Sequence, residues 1–157
     1  MTAQPAETQS GVELGSLEQS LGFLLRIAQV QAFDRFFASF GDIGLKPGEF
    51  SAMWILRHNP GIRQGVLADT LRIKPAHMTK MVRRLEENGW IRRVIPDDDR
   101  RSVQLFLTRV GERFTTLHRD AFLGQDNYLN HGLTEAEYSE LTRLLRRYTG
   151  LPPDTTD

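Results

Sequence analysis

The stretch from Ile62 to Thr108 constrains this chain more than any other, because its apolar spacing changes from helical to alternating within one short run. Val66, Leu67 and Leu71 form an apolar stripe over Ile62–Leu71, and Ala68 is small enough for close helix packing. Arg72-Ile73-Lys74 is a very short connection. Pro75 then opens a helix predicted to reach Asn88, since its fixed φ suits the first helical position and its missing N–H is not needed there. Met78, Met81, Val82 and Leu85 recur at helical spacing and mark the face that packs inward. The opposite face carries His77, Lys80, Arg84 and Glu87, with Lys74, Ala76, Thr79 and Arg83 beside it. Gly89 stops the helix where a left-handed residue costs least. Beyond it Trp90–Ile95 is β-prone, and Val103, Leu105 and Leu107 alternate with Gln104 and Phe106. Pro96 and three aspartates mark the turn between these strands.

Taken alone, Pro75–Asn88 reads as an amphipathic helix with a solvated basic face. Its neighbourhood changes that weighting. Two short helices joined tightly and followed by a hairpin match a winged helix-turn-helix, whose second helix enters the major groove of DNA. Charge agrees. The whole chain balances 20 basic against 20 acidic residues, yet Arg72–Arg109 holds ten Lys or Arg against five Asp or Glu. Positive charge gathered on one module of a neutral chain suggests a local face for a polyanion. The aspartates at 97–99 have no other ligand cluster spaced to complete a metal site; a turn whose carboxylates orient Arg100 and Arg101 is the simpler account.

The run LADTLRIKPAHMTKMVRRLEENGWIRRVIPDDDRRSVQLFLTRVGE resembles the DNA-binding core of the MarR family of bacterial transcription regulators. The matching features are Leu67-Ala68, Leu71, the helix end from Leu85 to Gly89, Arg92-Arg93, Asp99-Arg100-Arg101, and Leu107-Thr108 followed by Gly111. Helical flanks extend the resemblance to roughly Leu17–Tyr148. It implies an α+β, mostly α fold: six helices and one wing hairpin, with flanking dimerisation helices. It also implies a homodimer intertwined through the first, fifth and sixth helices, and a wing-tip arginine at Arg101 oriented by Asp99. Lys74, Ala76, His77, Thr79 and Lys80, near the start of the second helix, are placed to reach base edges. Arg83 and Arg84 are placed to hold phosphates. A two-fold dimer presents two recognition helices to successive major grooves. The expected partner is therefore double-stranded DNA with a pseudo-palindromic operator and half-sites about 10 bp apart.

The flanks fill out one domain over 16–150, its winged lobe at about 45–108 and dimerisation helices at 16–40 and 109–150. Residues 1–15 and 151–157 read as a flexible segment and a flexible tail. A long helix is predicted from Ser16 or Leu17 to Phe40, apolar on more than one side and so buried on more than one side. Pro47 is predicted to open a helix to His58, which Asn59-Pro60-Gly61 stops. Thr108 is a candidate N-cap for a helix running to about His131. Thr134 and Glu137 form a capping box for the last helix, whose stripe is Tyr138, Leu141, Leu145 and Tyr148.

Aromatic residues crowd the first two helices: Phe23, Phe33, Phe36, Phe37, Phe40, Phe50 and Trp54. They serve either as core alone or also as the wall of an effector pocket, in the region where the resembled family often binds ligands. Such pockets are mainly apolar with few polar anchors. The candidate ligand residues are Phe23, Arg26, Phe37, Phe50, Trp54, His58 and His118, with Arg26 as the anchor for an anion. The expected effector is a small aromatic acid or its coenzyme A thioester, which would release a repressor from DNA.

Several classes are set aside. There is no cysteine, so disulfides, thiolate metal sites and cysteine redox switching are excluded. No apolar run approaches membrane-spanning length and no secretory leader is visible, so the expected location is the cytoplasm. No phosphate-cradling glycine loop, nucleophile elbow or zinc-protease helix motif occurs, and His58, His77, His118 and His131 are scattered. No catalytic residue, metal or cofactor is expected. Two alternatives stay open: a constitutive or structural DNA binder without an effector, and, less favoured, a small-molecule-binding enzyme.

Overall fold

The computed structural model describes residues 12–97, 99, 102–125 and 131–152. They fall into a central unit, Phe33–Phe122, and a terminal unit formed by the chain up to Ala32 and from Leu123.

In the central unit, α1 (Leu21–Phe40) supplies its final turns, followed by α2 (Glu49–His58), β1 (Ile62–Arg63) and α3 (Gln64–Thr70). Then come α4 (Pro75–Glu87), β2 (Ile91–Val94), β3 (Gln104–Leu107) and α5 (Arg109–Gly124). The hairpin is in place: β2 runs antiparallel to β3, pairing Ile91 with Leu107 and Val94 with Gln104. The sheet has a third strand, at the start of the Ile62–Leu71 stretch whose apolar stripe predicts helix. Ile62 and Arg63 pair with Leu105 and Gln104 on the other edge of β3, giving the order β1-β3-β2. The turn at Asn59–Gly61, with Gly61 at φ 83°, brings the chain back along β3. Hydrogen bonds from Gly61 N to Leu105 O and from Gln64 N to Val103 O, both 2.9 Å, close the pairing. Two residues are too few to show an alternating pattern, so only the tertiary partner reveals them.

The core gathers under this sheet and α4. Phe40, Phe50, Met53, Leu56, Leu67, Met78, Val82, Leu85, Ile91 and Leu105 are all essentially inaccessible. Each such side chain contributes about 1.5–3 kcal/mol of burial relative to exposure. Phe50 stacks on Phe122 at 4.2 Å between ring centres and lies 6.3 Å from Phe40.

Helix boundaries mostly follow local chemistry. Helix α4 starts at Pro75 and yields to Asn88 as C-cap, with Gly89 at φ 71°. Helix α2 begins at Glu49, not at Pro47, because Pro47 and Gly48 form a turn and Gly48 sits at φ 85°. Thr108 caps α5 as expected: its hydroxyl accepts from Gly111 N at 3.1 Å. That helix ends at Gly124, short of the predicted His131.

The terminal unit contains a 3-10 turn at Gly15–Gln19, the start of α1, and α6 (Glu135–Thr149). The predicted single helix from residue 16 is broken at Ser20, whose hydroxyl accepts from Phe23 N at 3.4 Å and starts α1 afresh. The capping box of α6 is complete: Glu137 N donates to the Thr134 hydroxyl at 3.3 Å, and Thr134 N to the Glu137 carboxylate at 2.8 Å. No residue of α6 is buried, and the buried residues of α1 are Phe36 and Phe40, both in the central unit.

One junction holds the hairpin to α5. Trp90 O accepts from Thr108 N at 3.0 Å, and the Thr108 hydroxyl donates to Gly89 O at 2.6 Å. Gly111 lies so close beneath that a Cβ built there would sit 2.0 Å from Trp90 O. Gly111→Ala should therefore destabilise the protein by at least about 2 kcal/mol, since backbone must move to admit the methyl. Gly65→Ala, which meets nothing within 4 Å, should be neutral or slightly stabilising because alanine favours helix. Urea denaturation midpoints test the pair; equal stability of both variants would contradict the close approach.

Candidate nucleic-acid interface

Helices α3 and α4 meet through a turn at Leu71–Lys74. Arg72 occupies the left-handed region at φ 54°, the only non-glycine to do so among the described residues. Hydrogen bonds from Arg72 N to Asp69 O (3.2 Å) and from Ile73 N to Ala68 O (2.9 Å) hold the turn. Lys74 is the N-cap of α4, in extended conformation, and its side chain makes no cap bond.

From that start, α4 is divided cleanly. Met78, Met81, Val82 and Leu85 are buried. Lys74, Ala76, His77, Thr79, Lys80 and Arg83 are exposed, so the expected base-edge residues share one accessible face. The helix N-terminus adds partial positive charge where an anionic backbone would approach. Gln64 Nε2 donates to the Thr79 hydroxyl at 3.2 Å, which in turn donates to Pro75 O at 3.0 Å. Gln64 thus ties α3 to the exposed face of α4. It had no signal in the sequence beyond being a polar residue at the start of a helix.

The two arginines expected on phosphates differ. Arg83 is exposed and forms a loose i,i+4 pair with Glu87 at 3.4 Å, a surface contact worth little. Arg84 is built otherwise: its Nε donates to Glu49 Oε1 at 2.9 Å and its Nη2 to Gly44 O. Glu49 is 1% exposed. The Arg84 side chain is therefore committed to a buried partner instead of standing free for a phosphate. An acid at the head of the mostly apolar run EFSAMWIL was the available hint.

On the wing, Arg92 lies over the Phe106 ring at 4.4 Å, and Arg93 pairs with Glu86 at 2.5 Å. Asp99 is exposed, and its carbonyl accepts from Ser102 N at 2.9 Å. Arg100 and Arg101 lie outside the described residues, and with them the expected orientation of Arg101 by Asp99.

The candidate ligand residues are spread over both units. Phe50, Trp54 and His58 form a row along α2. The Phe50 and Trp54 rings stack at 6.1 Å, and His58 lies 5.0 Å from Trp54. His58 Nδ1 is 3.0 Å from Trp54 O. His118 contacts the rings of Phe114 at 4.5 Å and Phe40 at 6.0 Å. Phe50 is core, whereas Trp54 and His118 are half-buried and Phe37 and His58 exposed. Two unforeseen cations, Arg57 and Arg119, each lie 6.0 Å from the Trp54 ring centre. Arg57 also donates to Glu112 O, Thr115 Oγ1 and Thr116 Oγ1 at 2.8–3.2 Å, beside a cleft of 690 Å³ lined by Arg57, Glu112, Arg113, Thr116 and Leu117. Phe23 is half-buried and Arg26 exposed on the part of α1 that belongs to the terminal unit.

Comparisons with known proteins agree with this geometry. The MarR family model matches residues 45–103. The chain is 33% identical over 134 residues to a protein described as transcriptional regulatory for the hcr operon of Thauera aromatica, covering 85% of this chain and 81% of the relative. The solved structure of the transcriptional repressor CouR bound to a 23-mer DNA duplex superposes with a TM-score of 0.78 at 30% identity, over 89% of this chain and 99% of CouR. A transcriptional regulator from Pseudomonas aeruginosa gives a TM-score of 0.76 at 26% identity, over 84% of this chain and 98% of its own.

The Arg93–Glu86 pair at the base of the wing carries a pH dependence. The hydrogen bond from Arg93 holds the Glu86 carboxyl below its ordinary value, against the opposing effect of partial burial. A carboxyl with a depressed folded pKa adds stability that is fully present above its unfolded pKa and is lost as pH falls through the folded value. The stability difference between wild type and Arg93→Ala should therefore be largest near neutral pH and vanish in acid. By NMR the Glu86 carboxyl should titrate at higher pH in the variant. Identical titration in both proteins would show that the pair does not form in solution.

Proposed function

The chain belongs to the MarR family of transcriptional regulators, and we propose that it is a homodimeric, sequence-specific repressor whose operator binding is released by a small aromatic acid or its coenzyme A thioester. The observation that carries the DNA-reading part is the division of α4. Its apolar stripe is fully buried, while Lys74, Ala76, His77, Thr79 and Lys80 share an exposed face beside a basic hairpin. Lysine donates to the O6 and N7 acceptors of guanine, and an alanine methyl contacts the methyl of thymine. Similarity to CouR, a repressor with a DNA duplex in its solved structure, over nearly all of that chain supports the same use of the fold.

Support for the dimer comes from apolar surface. Leu17, Leu21, Leu24, Leu141, Leu144 and Tyr148 are between 44% and 65% exposed in the single chain. A second copy would cover such faces, and a two-fold dimer matches a pseudo-palindromic operator.

Support for the effector class comes from the half-buried Trp54 ring, with His58 against it, Phe50 as core behind it, and His118 in contact with Phe40 and Phe114. Arg26 is the proposed anion anchor. A difference of ~1–3 kcal/mol in effector affinity between the DNA-competent and DNA-incompetent states suffices for regulation.

Two experiments test this reading. Lys80→Ala should weaken binding to duplexes enriched by the wild-type protein from genomic DNA by ~1–3 kcal/mol, with a smaller effect on random DNA. Unchanged affinities for both would remove Lys80 from the base contacts. Benzoate-like and cinnamate-like acids and their coenzyme A thioesters should release the enriched duplex from wild type and act more weakly on Arg26→Ala. Equal action on both proteins would exclude Arg26 as the anchor, and release only by non-aromatic compounds would exclude the aromatic effector.

A further inference from the structure

We propose that the ion pair between the buried Glu49 and the half-buried Arg84 is a positioning clamp that sets the rotation of α4 about its own axis, and so decides which side chains face the bases. The inference rests on α4 being the DNA-reading helix.

The clamp is short and closed. Glu49 Oε1 accepts from Arg84 Nε at 2.9 Å, and Oε2 accepts from Lys46 N at 2.8 Å. Arg84 Nη2 donates to Gly44 O. One guanidinium on α4 thereby grips the loop before α2 at a carbonyl and the first residue of α2 at a carboxylate. Glu49 is 1% exposed, whereas the Arg84 side chain is 36% exposed. The acid is the fixed half of the clamp.

Stability alone does not account for it. Taking a carboxylate out of water is costly, and replacing a buried ion pair by apolar residues of similar volume is often neutral or stabilising. What the pair supplies is direction. The rest of α4's grip is mainly apolar, through Met78, Met81, Val82 and Leu85, two of them flexible methionines, and apolar contact has no preferred orientation. Its other side-chain ties, Gln64 to Thr79 and Arg93 to Glu86, involve no buried side chain, whereas Glu49 is buried. Arg84 follows His77 and Lys80 at seven and four residues' spacing, so it stands in the same row as two of the reading side chains. A rotation of ~20° at a side-chain radius of ~5–6 Å moves a donor by ~2 Å, more than a base-edge hydrogen bond tolerates.

The test compares wild type with Glu49→Gln and with the double variant Glu49→Leu/Arg84→Met. The probes are a duplex selected by the wild-type protein from a random-sequence library and a scrambled duplex of equal length, with thermal midpoints measured alongside. The double variant should melt at or above the wild-type temperature and bind the scrambled duplex with unchanged affinity and salt slope. It should bind the selected duplex about tenfold or more weakly. Glu49→Gln, which keeps the shape but not the charge, should lie between them and decides the matter if the double variant does not fold. Undiminished preference for the selected duplex in folded variants would overturn the clamp alone. So would a parallel loss on both duplexes with a salt slope smaller by about one, which would make Arg84 a phosphate contact. If the wild-type protein enriches no sequence, the DNA-reading function itself falls and the clamp's role with it.

Discussion

The central unit depends on one helix being held by one face only. Met78, Met81, Val82 and Leu85 bury the inner side of α4 against a core that includes Phe50, Met53, Leu67 and Ile91. Because that contact is complete, the opposite side can remain polar and bare without loss of stability. Hydrophobic burial fixes the helix in place, and the polar ties fix its setting: Gln64 reaches Thr79 from α3, and Glu49 reaches Arg84 from α2. The division of labour follows from the forces involved, since burial is strong but non-directional and hydrogen bonds are individually modest but directional.

Strand β3 plays the corresponding part for the wing. It pairs on both edges, with β1 through Ile62 and Leu105 and with β2 through Arg93 and the same Leu105. The hairpin therefore grows from a three-stranded sheet anchored beside α3 and not from an isolated ribbon, which is marginal in water by itself. At its far end the Trp90 carbonyl, the Thr108 hydroxyl and Gly111 make a junction where strand and helix backbones touch. Trp90 and Phe114 stack at 4.5 Å alongside, so the wing is continuous with α5.

The aromatic residues divide into two roles that composition alone does not separate. Phe36, Phe40 and Phe50 are buried, and Phe50 packs against Phe122, as expected for a small helical core built with phenylalanine. Trp54 is different: half-buried, flanked by Arg57 and Arg119, with His58 beside it. In the terminal unit Leu21 and Leu24 of α1 and Leu141 and Leu144 of α6 stay exposed in the single chain. An amphipathic helix with its apolar stripe uncovered is incomplete as a fold, and that incompleteness is the physical content of the proposed dimer.

The sequence by itself determined what neighbours three or four residues apart can determine. Pro75 at the first position of α4, the buried stripe behind it, Thr108 capping α5 through Gly111, and the Thr134–Glu137 capping box are all local, and all stand where the pattern placed them. The MarR resemblance was legible for the same reason: its motifs are short and follow one another in order. Misread boundaries also have local causes. Gly48 at φ 85° postponed α2 past Pro47, and the Ser20 cap split the first helix. Only the tertiary structure decided which groups meet across the chain. β1 exists because Leu105 offers it a partner; Arg84 turns inward because Glu49, 35 positions earlier, is buried beside it; Arg57 finds Thr116 at a separation of 59. A side chain's reach and charge can be read from one residue, but its partner depends on how several helices pack, and no spacing rule along the chain encodes that.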